Sequence, residues 1–222
     1  MSELPSDPKA RLLEAMRRTP STTRQTARAW AWLVLPSGII VAGALYFTMN
    51  GLDHGGGRPV WFYVACAASW TAVAATSMWG ALGRARSRSW RSRSTLLAVA
   101  AGTPGLLFAL MFAFAIIDPE VTALHPERLG LKCFGLTLAA AVLPLVALLY
   151  ARRESDPVHP AVTGAALGSA CGASAGIMVE LWCPVATPAH VALGHILPIG
   201  VLAALGAVLG ARILKMSGRR RP

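Results

Sequence analysis

Six long apolar runs constrain this chain more than any other feature. They lie near residues 29–50, 60–83, 95–117, 131–151, 160–182 and 191–213. A helix needs about 20 largely apolar residues to cross a bilayer, and each run reaches that length. The first, AWAWLVLPSGIIVAGALYFTM, has no charge from Ala29 to Met49, and the third is likewise uncharged from Thr95 to Ile117. The fourth carries Lys132 in its first turn only, and the fifth has Glu180 near its end. In lipid the backbone must satisfy itself, which leaves helices or closed barrels. Runs this continuous are not the alternating strands of a barrel. The expected fold is an all-α integral membrane protein. It has a basic N-terminal arm at 1–28, a domain of six transmembrane helices at 29–213 and a basic tail at 214–222.

The connections sort by charge. The arm, the loop after the second run, the loop after the fourth and the tail (counted from Arg212) together hold eighteen Lys and Arg, whereas the other side holds only Arg58, Arg128 and Lys132. Positive charge stays in the cytoplasm, so both termini are expected inside, in a bacterial inner membrane. The densest basic stretch, GRARSRSWRSRS at 83–94, resembles an RNA-binding tract, and the chain carries a formal charge of +11. Yet 55% of residues are hydrophobic and 14% charged, against roughly 25% charged in soluble domains. The tract therefore reads as a short cytoplasmic loop facing anionic headgroups, each basic residue contributing about 1 kcal/mol. Direct nucleic-acid binding is not expected. Trp30, Trp32, Trp61, Trp79, Tyr150 and Trp182 fall near span ends, where amphipathic rings favour the interface.

The arm carries a second signal. SDPKARLLEAMRRT starts with Ser and Asp before a proline, a good helix start, and Pro20 ends it. Leu12, Leu13 and Met16 fall on one side, with Arg11, Arg17 and Arg18 on the other; Lys9 precedes them. A helix this short is marginal alone. It needs either the inner leaflet or the groove of a partner protein. The first 28 residues hold six Lys/Arg and three acids, which is not a secretory signal.

Within the fifth span Gly164, Gly168, Gly172 and Gly176 recur every four residues. That spacing makes a slowly winding stripe on one face, along which a neighbouring helix approaches closely. Gly206 and Gly210 repeat the idea in the sixth span, and Pro144 and Pro198 are expected to kink spans four and six.

Polar chemistry gathers on the expected outer side. His54, His125, His190 and His195 are there, with Cys133 at the start of span four and Cys183 at the end of span five. ELWCPVATPAHVALGH places Glu180, Cys183, His190 and His195 around one hairpin. Thiolate, imidazole and carboxylate together suit zinc or another borderline-soft metal. The spacing matches no known finger or zincin, and His190 and His195 are five apart rather than four. Polar residues satisfying one another and water at an interface is the competing reading. Cys133 and Cys183 can also approach as a disulfide or redox pair in an oxidising compartment. A rhomboid-like reading of Ser174 with His195 fails on depth, because the two lie at different levels. No other cofactor fingerprint appears, and no enzymatic activity is expected.

DPVHPAVTGAALGSACGASAG, LWCP, AHVALGHILPIG and GAVLGARIL together resemble the NrsF-type family of six-span membrane anti-sigma factors, and the light-responsive CarR anti-sigma protein matches in outline. The resemblance implies sequestration of an extracytoplasmic-function sigma factor until a stress is sensed. It also implies an outward-facing cysteine pair, onto which Cys133 and Cys183 fall, and a sigma-facing N-terminal arm comprising Lys9, Arg11, Leu12, Leu13, Met16, Arg17 and Arg18. One departure is that two histidines stand where the family has a phenylalanine and a tryptophan–tyrosine pair. The alternative is a small six-helix transporter or channel, which calls for more intramembrane polar residues than Glu180.

Overall fold

The computed structural model describes residues 60–82, 130–153, 159–185 and 187–215, with separate helical positions between 98 and 117. Among the described residues there are helices and no strand. Helix α1 spans Val60–Leu82, α2 Leu131–Ala151, α3 Pro160–Trp182 and α4 Pro188–Ile213, the last with a π turn at Ala192–Ile196. Helices α2, α3 and α4 are long and apolar enough to cross a membrane. The four helices fall on the second, fourth, fifth and sixth expected spans. The arm at 1–28, the first span and the basic tract at 83–94 lie outside the described residues.

Prolines set several boundaries. Pro160 and Pro188 open α3 and α4, where a missing N–H costs nothing and the fixed φ suits a first turn. Pro184 disfavours helical geometry in the residue before it. Cys183 is accordingly extended, at φ −76° and ψ 119°, and α3 stops at Trp182. Pro198 offers no N–H to the carbonyl of Gly194 and crowds it. The chain responds with the π turn at Ala192–Ile196, where a sharp kink was expected. Pro144 sits inside a continuous α2.

Helix α3 is the most buried of the three membrane-length helices among the described residues. Within its most apolar stretch 78% of residues are buried, against 39% in each of α2 and α4. Its small residues explain this. A Cβ on Gly164 would stand 2.9 Å from Gly210 Cα, and one on Gly168 would stand 2.6 Å from the Leu202 carbonyl carbon. Backbone therefore packs on backbone along the α3–α4 seam, gaining dispersion contacts that side chains would block. Gly172 continues the seam against Ile199 and Leu202, but Gly176 has wound round to face the ring of Trp70 on α1. Cys171 joins Leu145, Leu148, Leu167 and Leu202 in the main core, and Cys66 packs with Trp70, Val73 and Ile199 in a second.

At the far end of α2, the buried Arg152 guanidinium donates to the carbonyl of Ala81, in the last turn of α1. Helix ends leave carbonyls without partners, and a cation there is favourable. This contact puts the ends of α1 and α2 together, so the two helices run in the same direction. Trp79 and Tyr150 are exposed near that end, in keeping with an interfacial position.

Candidate functional site

At the opposite end, three helices converge on one buried polar cluster. Cys133 comes from the first turn of α2, Glu180 and Cys183 from the end of α3, and His190 and His195 from the start of α4. All are nearly inaccessible: Cys133 is 4% exposed, Cys183 2%, His190 3%, and Glu180 and His195 0%.

Two glycines allow the convergence. Gly130 caps α2 with φ 82°, a left-handed conformation that a side chain disfavours. A Cβ there would lie 2.8 Å from the His190 carbonyl oxygen and 3.0 Å from Gly194 Cα. A Cβ on Gly194 would in turn lie 3.1 Å from Cys133 Cβ. The start of α2 thus rests directly on the π turn of α4.

The functional atoms then meet. Cys133 Sγ is 3.6 Å from Cys183 Sγ, and His190 Nε2 is 3.5 Å from Cys133 Sγ and 3.1 Å from Cys183 Sγ. One donor atom from each of Cys133, Cys183, His190 and His195 lies within 4.8 Å of the others. The two imidazoles are tilted at 47° with centroids 5.5 Å apart. Five-residue spacing is wrong for one face of an α-helix, but a π turn closes i to i+5 and brings them near one face. This is the part of the site that helical periodicity did not anticipate. The proline after His195 was its only sequence signal.

Glu180, expected among the metal ligands, is turned elsewhere. Its Oε2 lies 2.9 Å from His195 Nδ1, an ion-pair contact between two buried groups. A buried carboxylate is costly without such a partner. The pairing assigns Nδ1 of His195 to Glu180 and leaves Nε2 for the cluster. Cys133 takes the place expected of Glu180 among the four converging donors.

The Cys183 thiol is held well below the usual cysteine value. The hydrogen bond with Cys133 contributes most, burial opposes it, and His190 and His195 add to the lowering. A thiolate is the form that binds metal or attacks a disulfide. Ser174 takes no part in the cluster. It donates to the Ala170 carbonyl one turn back in α3. His54, His125 and the arm residues Lys9, Arg11, Leu12, Leu13, Met16, Arg17 and Arg18 lie outside the described residues.

The family model described as NrsF, negative regulator of sigma F, matches residues 12–216. The chain belongs to the NrsF family. The match runs from within the basic arm to the end of α4, so it takes in every element of the cluster. No curated protein and no solved structure matches this NrsF-family chain.

Proposed function

We propose that this protein is a membrane-bound anti-sigma factor. It holds an extracytoplasmic-function sigma factor at the cytoplasmic face of the inner membrane and releases it when a signal reaches Cys133 and Cys183 on the periplasmic face. The observation that carries this reading is the family match over residues 12–216, whose description is negative regulation of a sigma factor.

Two further observations support it. Cys133 and Cys183 lie at the end of the bundle opposite Arg152, the separation that a sensor of outside events acting on an inside partner requires. Helices α1 and α2 run in the same direction, as the second and fourth of six spans would. In this reading residues 1–28 provide the sigma-binding surface: Leu12, Leu13 and Met16 as an apolar stripe, Lys9, Arg11, Arg17 and Arg18 as its basic rim. Release follows when the signal favours one packing of the glycine-seamed helices over another. Glu180, the acid that a transporter would use, is turned onto His195, so no observation among the described residues favours the transporter reading.

The test is co-purification with the sigma factor encoded beside this chain, comparing the full protein with one lacking residues 1–28. Capture by the full protein and loss on deletion is the expected result. Absence of capture by both overturns the assignment.

A further inference from the structure

We infer that Cys133, Cys183, His190 and His195 form a closed, four-coordinate site for a zinc-type divalent ion, with Glu180 as the residue that positions His195. This deepens the reading of the two cysteines as a sensing pair, but metal binding itself requires no sigma factor.

The donor set fits in type. Two thiolates and two imidazoles form one of the tetrahedral combinations used by structural zinc sites. It also fits in size. With Zn–S near 2.3 Å and Zn–N near 2.0–2.1 Å, tetrahedral angles put two sulfurs about 3.8 Å apart and a sulfur and nitrogen about 3.6 Å apart. The observed separations are 3.6 Å between the sulfurs, and 3.5 and 3.1 Å from the sulfurs to His190 Nε2. A disulfide would need the sulfurs near 2.05 Å, and none of the four cysteines is in a disulfide. The sulfur–sulfur separation is close to that of two thiolates on one ion, and the Cys183–His190 pair, at 3.1 Å, must open slightly to admit it.

The surroundings agree. Metal-bound histidines characteristically present their second ring nitrogen to a carboxylate, which fixes the ring and raises its basicity. Glu180 Oε2 stands 2.9 Å from His195 Nδ1, and His195 Nε2 is buried with no hydrogen-bond partner. An otherwise costly buried carboxylate and an unpartnered buried nitrogen are explained together if Nε2 ligates. One divalent cation would neutralise the two thiolates while both imidazoles stay neutral, which leaves the Glu180 carboxylate as the remaining charge beside the site. Protons displaced from thiol or imidazole pass to solvent. Four buried protein donors leave no open position, so the ion ties together the ends of α2, α3 and α4 and activates no water.

The experiment uses the full chain in detergent, purified under reducing conditions with an affinity tag that contains no histidine. Elemental analysis should find about one zinc per chain. Cobalt(II) exchanged into the site should show the intense visible bands of tetrahedral cobalt and a thiolate-to-cobalt charge-transfer band. Cys133→Ser and Cys183→Ser should each weaken that band. His190→Ala and His195→Ala should each collapse the tetrahedral pattern, while Cys171→Ser leaves the spectrum intact. Glu180→Gln should keep the band but bind cobalt about 10–100-fold more weakly, as loss of an outer-sphere partner does. The wild-type protein is the test that variant misfolding cannot confound. Substoichiometric metal with no thiolate–cobalt band, or a Cys133–Cys183 disulfide in the reduced preparation, overturns the site. A wild-type spectrum retained in both histidine variants also overturns it. Sigma-factor capture is read separately, so a loaded site with no capture would reject the anti-sigma assignment and leave the metal site standing.

Discussion

His190 and His195 are separated by five residues in the chain, yet their ring centroids lie 5.5 Å apart. A regular α-helix would set them about 140° apart around its axis. The π turn at Ala192–Ile196 takes up one extra residue and narrows that offset to about that of an i,i+4 pair, and Pro198 supplies its cause by denying Gly194 a hydrogen-bond donor. Pro198→Ala should let the segment relax toward a regular helix and swing one imidazole away. The expected result is a folded protein whose cobalt affinity is lower by about tenfold or more, a penalty typical of misoriented ligands. Unchanged affinity would show that the turn is held by packing and not by the proline.

Gly130 and Gly200 make a matched pair. Gly130 is left-handed and pressed against Gly194 and His190, whereas Gly200, in the middle of α4, has nothing within 4 Å of its absent Cβ. Gly130→Ala should cost about 1–2 kcal/mol from backbone conformation alone, with the close contact added. Gly200→Ala should be neutral or stabilise by up to about 1 kcal/mol through helix propensity. Denaturant unfolding in one detergent, run side by side, measures both.

The α3–α4 seam makes a graded prediction. A Cβ on Gly168 meets backbone of Leu202 and Ala203, which cannot step aside, while a Cβ on Gly176 meets the Trp70 ring at 3.1 Å. Gly168→Ala should force the helices apart at about 1–3 kcal/mol, the usual cost of overpacking. Gly176→Ala should cost less, because a ring can shift by a few tenths of an ångström. Thermal unfolding followed by helical circular dichroism gives the order.

Arg152 joins α2 to the last turn of α1 by donating to Ala81. Arg152→Ala should destabilise by about 1.5–3 kcal/mol, the range for a hydrogen bond to a charged group. Arg152→Lys should recover part of it, since one ammonium can replace one donor but not the planar fork. Equal stability of wild type and Arg152→Ala would remove this contact from the account of how α1 docks.

Metal removal provides a further check. If zinc binds only the folded state, adding it at 100 times Kd to stripped protein should stabilise by about 2.7 kcal/mol. The melting temperature should rise in the wild type and stay fixed in Cys183→Ser. A rise of equal size in both would place the stabilising metal elsewhere.

Much of this was legible in the chain because its signals are local. Length and continuity of the apolar runs announced helices; α1, α2 and α3 fall within one residue of their expected limits, and α4 begins at Pro188, three residues before its expected start. Glycines at intervals of four announced close packing, since that period keeps them on one face of a helix. Cys133 and Cys183, fifty residues apart, were paired by their positions at span ends and by family resemblance. The individual ligands were less legible. Glu180 was expected to ligate alongside Cys183, because the two are near in sequence, and Cys133 was expected as the sensing partner of Cys183 and not among the four ligands.

The sequence by itself determined that this chain is helical and apolar, where its helices lie, and which chemical groups collect at one end. Those properties depend on hydrophobicity, proline positions and helical period, all of which act over a few residues. Only the tertiary structure decided which atoms meet. Gly130 against Gly194 sets the depth of Cys133, the π turn sets the relative rotation of His190 and His195, and Glu180 is drawn to His195 because a buried carboxylate must find a partner. Each depends on how three helices dock to within a fraction of an ångström, a quantity that no single segment carries.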